Sequence, residues 1–149
     1  MPVRICLLAV IVALTCQLAV AQDATDRSAA ARDWVNSFRA ARGLSTVSLS
    51  DRLTRVASTH AADMARKGVF SHTGSDKSSV GDRARRVGYG YCFIAENIAK
   101  GQRGLDAVLN GWAGSSGHRR NMLAPRAREM AVVEAPGRIW VMVLGRDGC

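Results

Sequence analysis

The sequence predicts an α+β fold, in which amphipathic helices are combined with a few strands. Apolar residues recur at helical spacing in three stretches between residues 31 and 112. The segment 130–144 instead has the pattern of two strands joined by a turn at Pro136 and Gly137. We therefore expect several helices to pack against a small sheet whose strands lie late in the chain.

The first 21 residues have the pattern of a secretory signal peptide. Arg4 precedes the apolar run Ile5–Val20, and Ala19-Val20-Ala21 offers the small-x-small pattern that signal peptidase cuts. An uncleaved anchor is the alternative, but the run has 16 residues, fewer than the roughly 20 that span a bilayer. We therefore expect one exported domain over residues 22–149, periplasmic or extracellular, with no transmembrane segment after cleavage.

Two cysteines, Cys92 and Cys149, remain after the predicted cleavage. In an oxidising compartment an even pair predicts one disulfide, which here would join the C-terminus to the middle of the chain. The alternative is two free thiols, one of them at the chain end.

The formal net charge is +9, which is compatible with attraction to an anionic envelope surface and equally with a solubility role or a base-composition bias of the genome. The basic residues are not interleaved with aromatic ones, and an exported protein seldom meets nucleic acid. We therefore expect no nucleic-acid partner.

Capping residues and glycines mark the ends of the predicted helices. Gly43 lies where a C-cap belongs, and Gly68 follows the second helix. Either Ser48 or Ser50 is expected to cap the start of that second helix. The predicted helical segments are, in chain order, Ser28–Arg42, the stretch from Ser48 or Ser50 to Gly68, Val80–Val87, Leu105–Trp112, and a short turn that carries His118.

A strand or extended segment is predicted between the third and fourth helices, over Tyr91–Ala99. On the short helix before it, Arg83, Arg85 and Arg86 are expected to face solvent. Glu96 is embedded in the apolar part of the extended segment, where a carboxylate costs free energy unless it is paired or bound. Glu96 is therefore a candidate site residue, and the alternative is a carboxylate that faces water at the end of a strand.

Three histidines have different expected roles. His60 lies on the apolar stripe of the second helix, so we expect it to be buried and bonded to the backbone or to Asp63. His72 follows Phe70 directly after a helix end, which holds its position better than a free loop would. His118 lies in an unusual run of small, hydroxyl and basic residues after Trp112. Two imidazoles and the Glu96 carboxylate match the donor types of many zinc sites.

In this order, the motifs resemble the CAP superfamily, which contains the cysteine-rich secretory, antigen 5 and pathogenesis-related proteins, and in particular its bacterial SCP-like branch. The resemblance covers essentially all of residues 22–149. Its motifs are Val35–Leu44; Leu53, Ala57, His60 and Met64-Ala65; Phe70-Ser71-His72; Glu96–Ala99; Trp112, Ser115, Gly117-His118-Arg119 and Asn121-Met122-Leu123; and the two closing strands.

The resemblance implies an α-β-α sandwich, with a small, mainly antiparallel sheet between helical layers. It also implies a cleft with His72 and His118 as its histidines and Glu96 as its first acid. In several members the two histidines bind a divalent metal such as zinc, and some members bind sterols or fatty acids. Ser115 occupies the position of the second acid, so a metal site here would be weaker or completed by water.

Three functions are compatible with these residues. The first is a secreted protein that binds a metal, lipid, glycan or peptide in the cleft. The second is a hydrolase, with Ser115 or Ser116 activated by His118 and oriented by Glu96, or with metal-activated water. The third is a purely structural His-Glu-His network. Because the sequence contains neither Gly-x-Ser-x-Gly nor His-Glu-x-x-His, we expect binding rather than catalysis.

Overall fold

The computed structural model describes residues 23–148. The predicted signal peptide and Cys149 lie outside the described residues. The chain mixes helices and strands, with α2–α3 and α4–α5 as consecutive helices, and the last two strands form a hairpin. The elements are β1 Thr25–Asp26, α1 Ser28–Ala40, β2 Ser48–Leu49, α2 Asp51–Lys67, α3 Val80–Arg86, β3 Tyr91–Lys100, α4 Leu105–Gly114, α5 Ser116–Met122, β4 Glu129–Ala135 and β5 Ile139–Asp147.

The five strands form one sheet with the order β1-β4-β5-β3, and β2 pairs with β4 beside β1. The β1–β4, β4–β5 and β5–β3 pairs are antiparallel, while the short β2–β4 pair is parallel. The expected mainly antiparallel sheet is confirmed. The long β3–β5 pair brings Glu96 opposite Val143, so the sheet holds this carboxylate well inside a strand.

Two helical layers cover the two faces of the sheet. Successive residues on β4 belong to opposite layers, as the two-residue period of a strand requires. Met130 and Val132 pack in the core with α1, α4 and α5, whereas Ala131 and Val133 pack in the core with α2 and α3. The molecule is therefore an α-β-α sandwich with one core on each side of the sheet, as the resemblance implied.

Local signals explain both ends of α2 and the C-terminal end of α1. The Ser50 side chain accepts a hydrogen bond from the Leu53 amide at the start of α2, and α2 ends at Gly68 with φ 67°. A positive φ is tolerated because glycine has no Cβ. The first helix ends at Ala40, earlier than predicted, because a turn precedes Gly43, which has φ 69°.

The C-terminal end of β5 lies beside the start of β3. The Gly148 amide donates a hydrogen bond of 3.1 Å to the Gly90 carbonyl, two residues before Cys92. Since Cys149 is outside the described residues, its disulfide with Cys92 stays a prediction. Over residues 23–148, no helix has the length and apolar character needed to cross a membrane.

Candidate functional site

Glu96 is the centre of a buried polar network at the α3 side of the sheet. Its side chain is only 3% exposed. One carboxylate oxygen lies 2.8 Å from His72 Nδ1, and the other accepts a hydrogen bond of 2.8 Å from Arg83 Nη2. A buried carboxylate is tolerated when both oxygens are paired in this way. The structure therefore brings two of the predicted site residues, His72 and Glu96, into direct contact.

Arg83 is the partner that the sequence interpretation missed. Its predicted exposure is wrong, since its side chain is 4% exposed. Besides Glu96, it donates to the carbonyl oxygens of Ser78 at 2.8 Å and His72 at 3.1 Å. Arg85 and Arg86 are exposed as expected. The missed signal is helical spacing, because Val80, Arg83, Ala84 and Val87 share one face, and that face packs toward β3.

His60 lies beneath this network on α2. Its side chain is fully buried, and Nε2 is 2.9 Å from the Ser71 carbonyl oxygen, so the expected backbone bond is confirmed. Burial lowers the pKa of His60, and the nearby Glu96 carboxylate, 3.7 Å from Nε2, only partly opposes this effect. The neutral ring must therefore carry its proton on Nε2 to donate to the carbonyl, which leaves Nδ1 as an acceptor.

His118 is positioned by a separate set of contacts on α5. Asn97 Nδ2 donates to the His118 carbonyl at 3.1 Å, and Asn121 Nδ2 donates to the Asn97 side-chain oxygen at 2.9 Å. Asn121 also donates to the Glu96 carbonyl at 3.2 Å. These bonds attach the α5 backbone to β3, and within residues 23–148 no hydrogen bond engages the His118 ring.

His72 and His118 are close enough to influence each other, although only His118 lines the cavity beside it. Burial, and then the electrostatic influence of His72, lower the pKa of His118. His118 is therefore neutral at neutral pH and can donate or accept a hydrogen bond. Glu96 bonds His72 and Arg83 rather than His118, so the carboxylate does not orient His118 as the Ser115-His118 hydrolase hypothesis requires.

A cavity of about 330 Å³ opens beside His118, and we call it the His118 cleft. Much of its wall is apolar, and Phe70 at its edge is 43% exposed. Ser115 is the N-cap residue of α5, and it also lines the cleft. The wall includes Phe70, Ile98, Val108, Trp112, Ser115 and His118.

The donor set for a metal ion is small. Among residues 23–148, no group of three or more His, Cys, Asp or Glu side chains has an arrangement that could hold a metal. Glu96 is already bonded to two neighbours, and Ser115 offers a hydroxyl where an acid would be a stronger ligand. The donors that remain for a metal are the two imidazoles, His72 through Nε2 and His118, and water would have to complete any coordination.

The family model described as "CAP: Cysteine-rich secretory protein family" matches residues 32–142. The chain belongs to the CAP family. The matched span contains His60, His72, Arg83, Glu96 and His118, so both the network and the cleft lie within the family's domain.

Two relatives in Bacillus subtilis extend the comparison. The chain is 35% identical to the uncharacterised protein YkwD over 107 residues, which cover 70% of this chain and 41% of YkwD. It is 31% identical to the uncharacterised membrane protein YlbC over 91 residues, which cover 61% of this chain and 26% of YlbC. The chain thus spans less than half the length of each of these relatives.

Solved structures agree with the fold. An extracellular protein containing a SCP domain from Bacillus anthracis has a TM-score of 0.76 and 27% identity, over 81% of this chain and 40% of that one. An outer surface protein of Borrelia burgdorferi has a TM-score of 0.73 and 18% identity, over 80% of this chain and 92% of that one. The second likeness concerns the fold alone.

Proposed function

We propose that this CAP domain is an exported binding protein that holds an amphipathic lipid, such as a fatty acid, in the His118 cleft. The observation that carries the proposal is an open cavity with an apolar wall on one side and a neutral imidazole on the other. The signal-peptide pattern and the likeness to an extracellular SCP-domain protein support export.

The lining favours a lipid over a glycan or an unspecified peptide. The exposed Phe70 ring offers apolar surface to an acyl chain, with the largely buried Ile98, Val108 and Trp112 behind it in the cleft wall, whereas a glycan would need polar groups along its length. Lys100 lies at the polar part of the same wall and is exposed, so its ammonium group can pair with a carboxylate head. Ser115 and His118 add hydrogen-bonding groups at this end.

Phe70 provides a direct test, because its exposed ring lines the cleft. Removing a buried Phe contact costs about 1.5–3 kcal/mol, which corresponds to roughly a tenfold to hundredfold loss of affinity. We expect Phe70→Ser to weaken palmitate binding by at least roughly tenfold, as measured by calorimetric titration of the protein.

Val69→Ser is the matched control for this test. Val69 is the preceding residue and is 56% exposed, but it does not line the cleft. It should leave palmitate affinity unchanged. Equal loss in both variants would indicate general surface adhesion, and saturable binding that Phe70→Ser does not weaken would place the lipid elsewhere.

A divalent metal is the second candidate ligand, supported by one specific contact. The Glu96 carboxylate engages Nδ1 of His72, and a carboxylate in this position typically orients a histidine whose other nitrogen binds metal. His72 and His118 would hold the ion, and a bound zinc would supply Lewis acidity to a ligand in the cleft.

Zinc titration of the protein tests this second candidate. We expect one weakly bound ion whose binding is lost in both His72→Ala and His118→Ala, since only two imidazole ligands are offered. The variant Lys67→Ala, on the surface of α2, serves as the control and should keep the binding. Zinc binding that persists in either histidine variant would contradict the assignment, as would no binding by the unmodified protein.

A further inference from the structure

The segment directly after α2 exposes two apolar side chains that are neighbours in the chain. Val69 is 56% exposed and Phe70 is 43% exposed, and the one other large hydrophobic residue exposed among residues 23–148 is Leu49, at 37%. Single apolar side chains are ordinary on a protein surface. Here two occur together, with Cα atoms about 3.8 Å apart, and we call them the 69–70 tip.

The tip lies at the rim of the His118 cleft. The helix α2 ends at Gly68, whose left-handed backbone turns the chain away from the helix just before Val69. Phe70, the second residue of the tip, lines the cleft together with Lys100. A surface that covers the tip would therefore also lie next to the opening of the cleft.

The charged groups beside the tip are mainly positive. Lys67, in the last turn of α2, and Lys100, in the cleft wall, are both exposed. In the part of the chain that the structure describes, neither lysine belongs to an ion pair. Arg66 adds a third cation, which interacts with Asp63 one turn earlier. From residue 64 to residue 75 the chain contains no acidic residue.

An apolar tip beside unpaired cations suits the surface of an anionic lipid bilayer. Binding at the membrane interface combines the burial of apolar side chains with attraction between cations and anionic lipids. A soluble polyanion would use the cations but would leave the tip in water. A second copy of this chain would bring like charges together at the same surface.

We propose that the 69–70 tip docks the protein on an anionic lipid bilayer, with Val69 and Phe70 entering the headgroup region and Lys67 contacting the anionic headgroups. A lysine can keep its ammonium group among the headgroups while its stem lies along apolar surface. The inference rests on the proposed function and deepens it, because docking would place the opening of the His118 cleft at the membrane that supplies its fatty acid.

The test is cosedimentation of the protein with vesicles of phosphatidylglycerol and phosphatidylcholine in equal parts. We expect binding that weakens as salt is added and that is much weaker on vesicles of phosphatidylcholine alone. Val69→Ser should reduce the affinity for the mixed vesicles roughly fivefold, through lost apolar burial. Lys67→Gln should also reduce it roughly fivefold, through one lost cation near the anionic surface.

Each variant has a matched control at a distance from the tip. Leu49→Ser removes an exposed apolar side chain before the start of α2, and the 17 residues of that helix separate it from the tip by roughly 25 Å. Arg55→Gln removes an exposed cation of the same helix, roughly 18 Å along its axis from Lys67. Both controls should bind the mixed vesicles like the unmodified protein.

Palmitate titration separates docking from the cleft function. Val69→Ser and Lys67→Gln should keep their palmitate affinity, because neither residue lines the cleft. Palmitate binding without any vesicle binding would overturn the docking surface alone. Vesicle binding that depends on Val69 without any palmitate binding would support the docking surface and overturn the cleft function alone.

The remaining outcomes contradict the docking surface. If Val69→Ser and Leu49→Ser lose vesicle affinity equally, or neither loses any, the tip does not enter the bilayer. If Lys67→Gln and Arg55→Gln lose it equally, the attraction comes from the overall charge. Dextran sulfate, a soluble polyanion, is the comparison probe. Equally tight binding to dextran sulfate, with Val69→Ser unchanged on both probes, would make the partner an anionic polymer.

Discussion

The family resemblance assigns His72 and His118 to the same site, but their surroundings in the structure are very different. His72 is bonded to a buried carboxylate, which in turn is bonded to a buried arginine. His118 is held only through its backbone, and within the described residues its ring has no hydrogen-bond partner. The first arrangement is typical of a network that fixes the packing of the fold. The second leaves a neutral imidazole available to a ligand in the cleft.

This difference separates His72 and Glu96 from His118, although the sequence analysis had grouped all three as site residues. The structural hypothesis of a His-Glu-His network describes the His72–Glu96 half, although Arg83 rather than His118 completes the carboxylate's bonds. The binding hypothesis concerns the His118 half. The two hypotheses therefore apply to adjacent regions. Changes in the His72–Glu96 region should lower the unfolding free energy, whereas changes at His118 should lower the ligand affinity.

The largest expected effect comes from the Arg83–Glu96 pair. Arg83→Met leaves a buried carboxylate without its cation and should cost about 3–5 kcal/mol of unfolding free energy, measured by urea unfolding. Arg85→Met is the matched control on the same helix. Its charge pairs with Asp82 at the surface, so its loss should cost at most about 1 kcal/mol.

A double variant sharpens this prediction. Arg83→Met combined with Glu96→Leu removes both buried charges, and it should recover much of the stability lost in the single variant. If the single variant were as stable as the unmodified protein, the pair would not be the structural centre of this region.

A smaller effect is expected from pH, through His60. Its folded-state pKa is lowered by burial from the ordinary value of 6.5. As pH falls below about 6.5, the unfolded state therefore takes up a proton that the folded state refuses, and stability declines. The loss continues until pH reaches the folded pKa, and it amounts to about 1.4 kcal/mol for each unit of lowering.

Urea unfolding between pH 7.5 and pH 5 measures this loss, in a range above the titration of ordinary carboxylates, roughly pH 4. His60→Gln should flatten the pH dependence more than His118→Gln, because the His118 ring is less deeply buried than that of His60. A slope that is unchanged in His60→Gln would show that another group controls stability in this range.

Much of the fold could be predicted from the sequence because its signals are local. The Ser50 cap and the glycine at position 68 mark the ends of α2, and the apolar run that precedes the turn at Pro136 and Gly137 marks β4. The resemblance supplied the layer arrangement. Arg83 was missed because a seven-residue helix has several polar faces, and the choice among them depends on how α3 packs against β3. The Val80, Arg83, Ala84 and Val87 spacing was the available indication.

The relation among the site residues depends on distant contacts that sequence patterns do not reveal. The sequence identified His72, Glu96 and His118 as candidates but left open which of them touch. Asn97 and Asn121, which hold the α5 backbone against β3, were not singled out as site residues. Their side chains act through hydrogen bonds to residues more than twenty positions away, and no local pattern predicts such bonds.

The most direct test of the proposed cleft function is to measure both unfolding free energy and palmitate affinity in His72→Ala and His118→Ala. We expect His72→Ala to lose about 1 kcal/mol of unfolding free energy, as for a half-exposed hydrogen bond to a charged group, and to keep its palmitate affinity. His118→Ala should keep its stability within about 0.5 kcal/mol and lose at least roughly tenfold in affinity. If both variants lose stability equally and neither changes palmitate binding, the histidines belong to one structural network and the proposed cleft function is wrong.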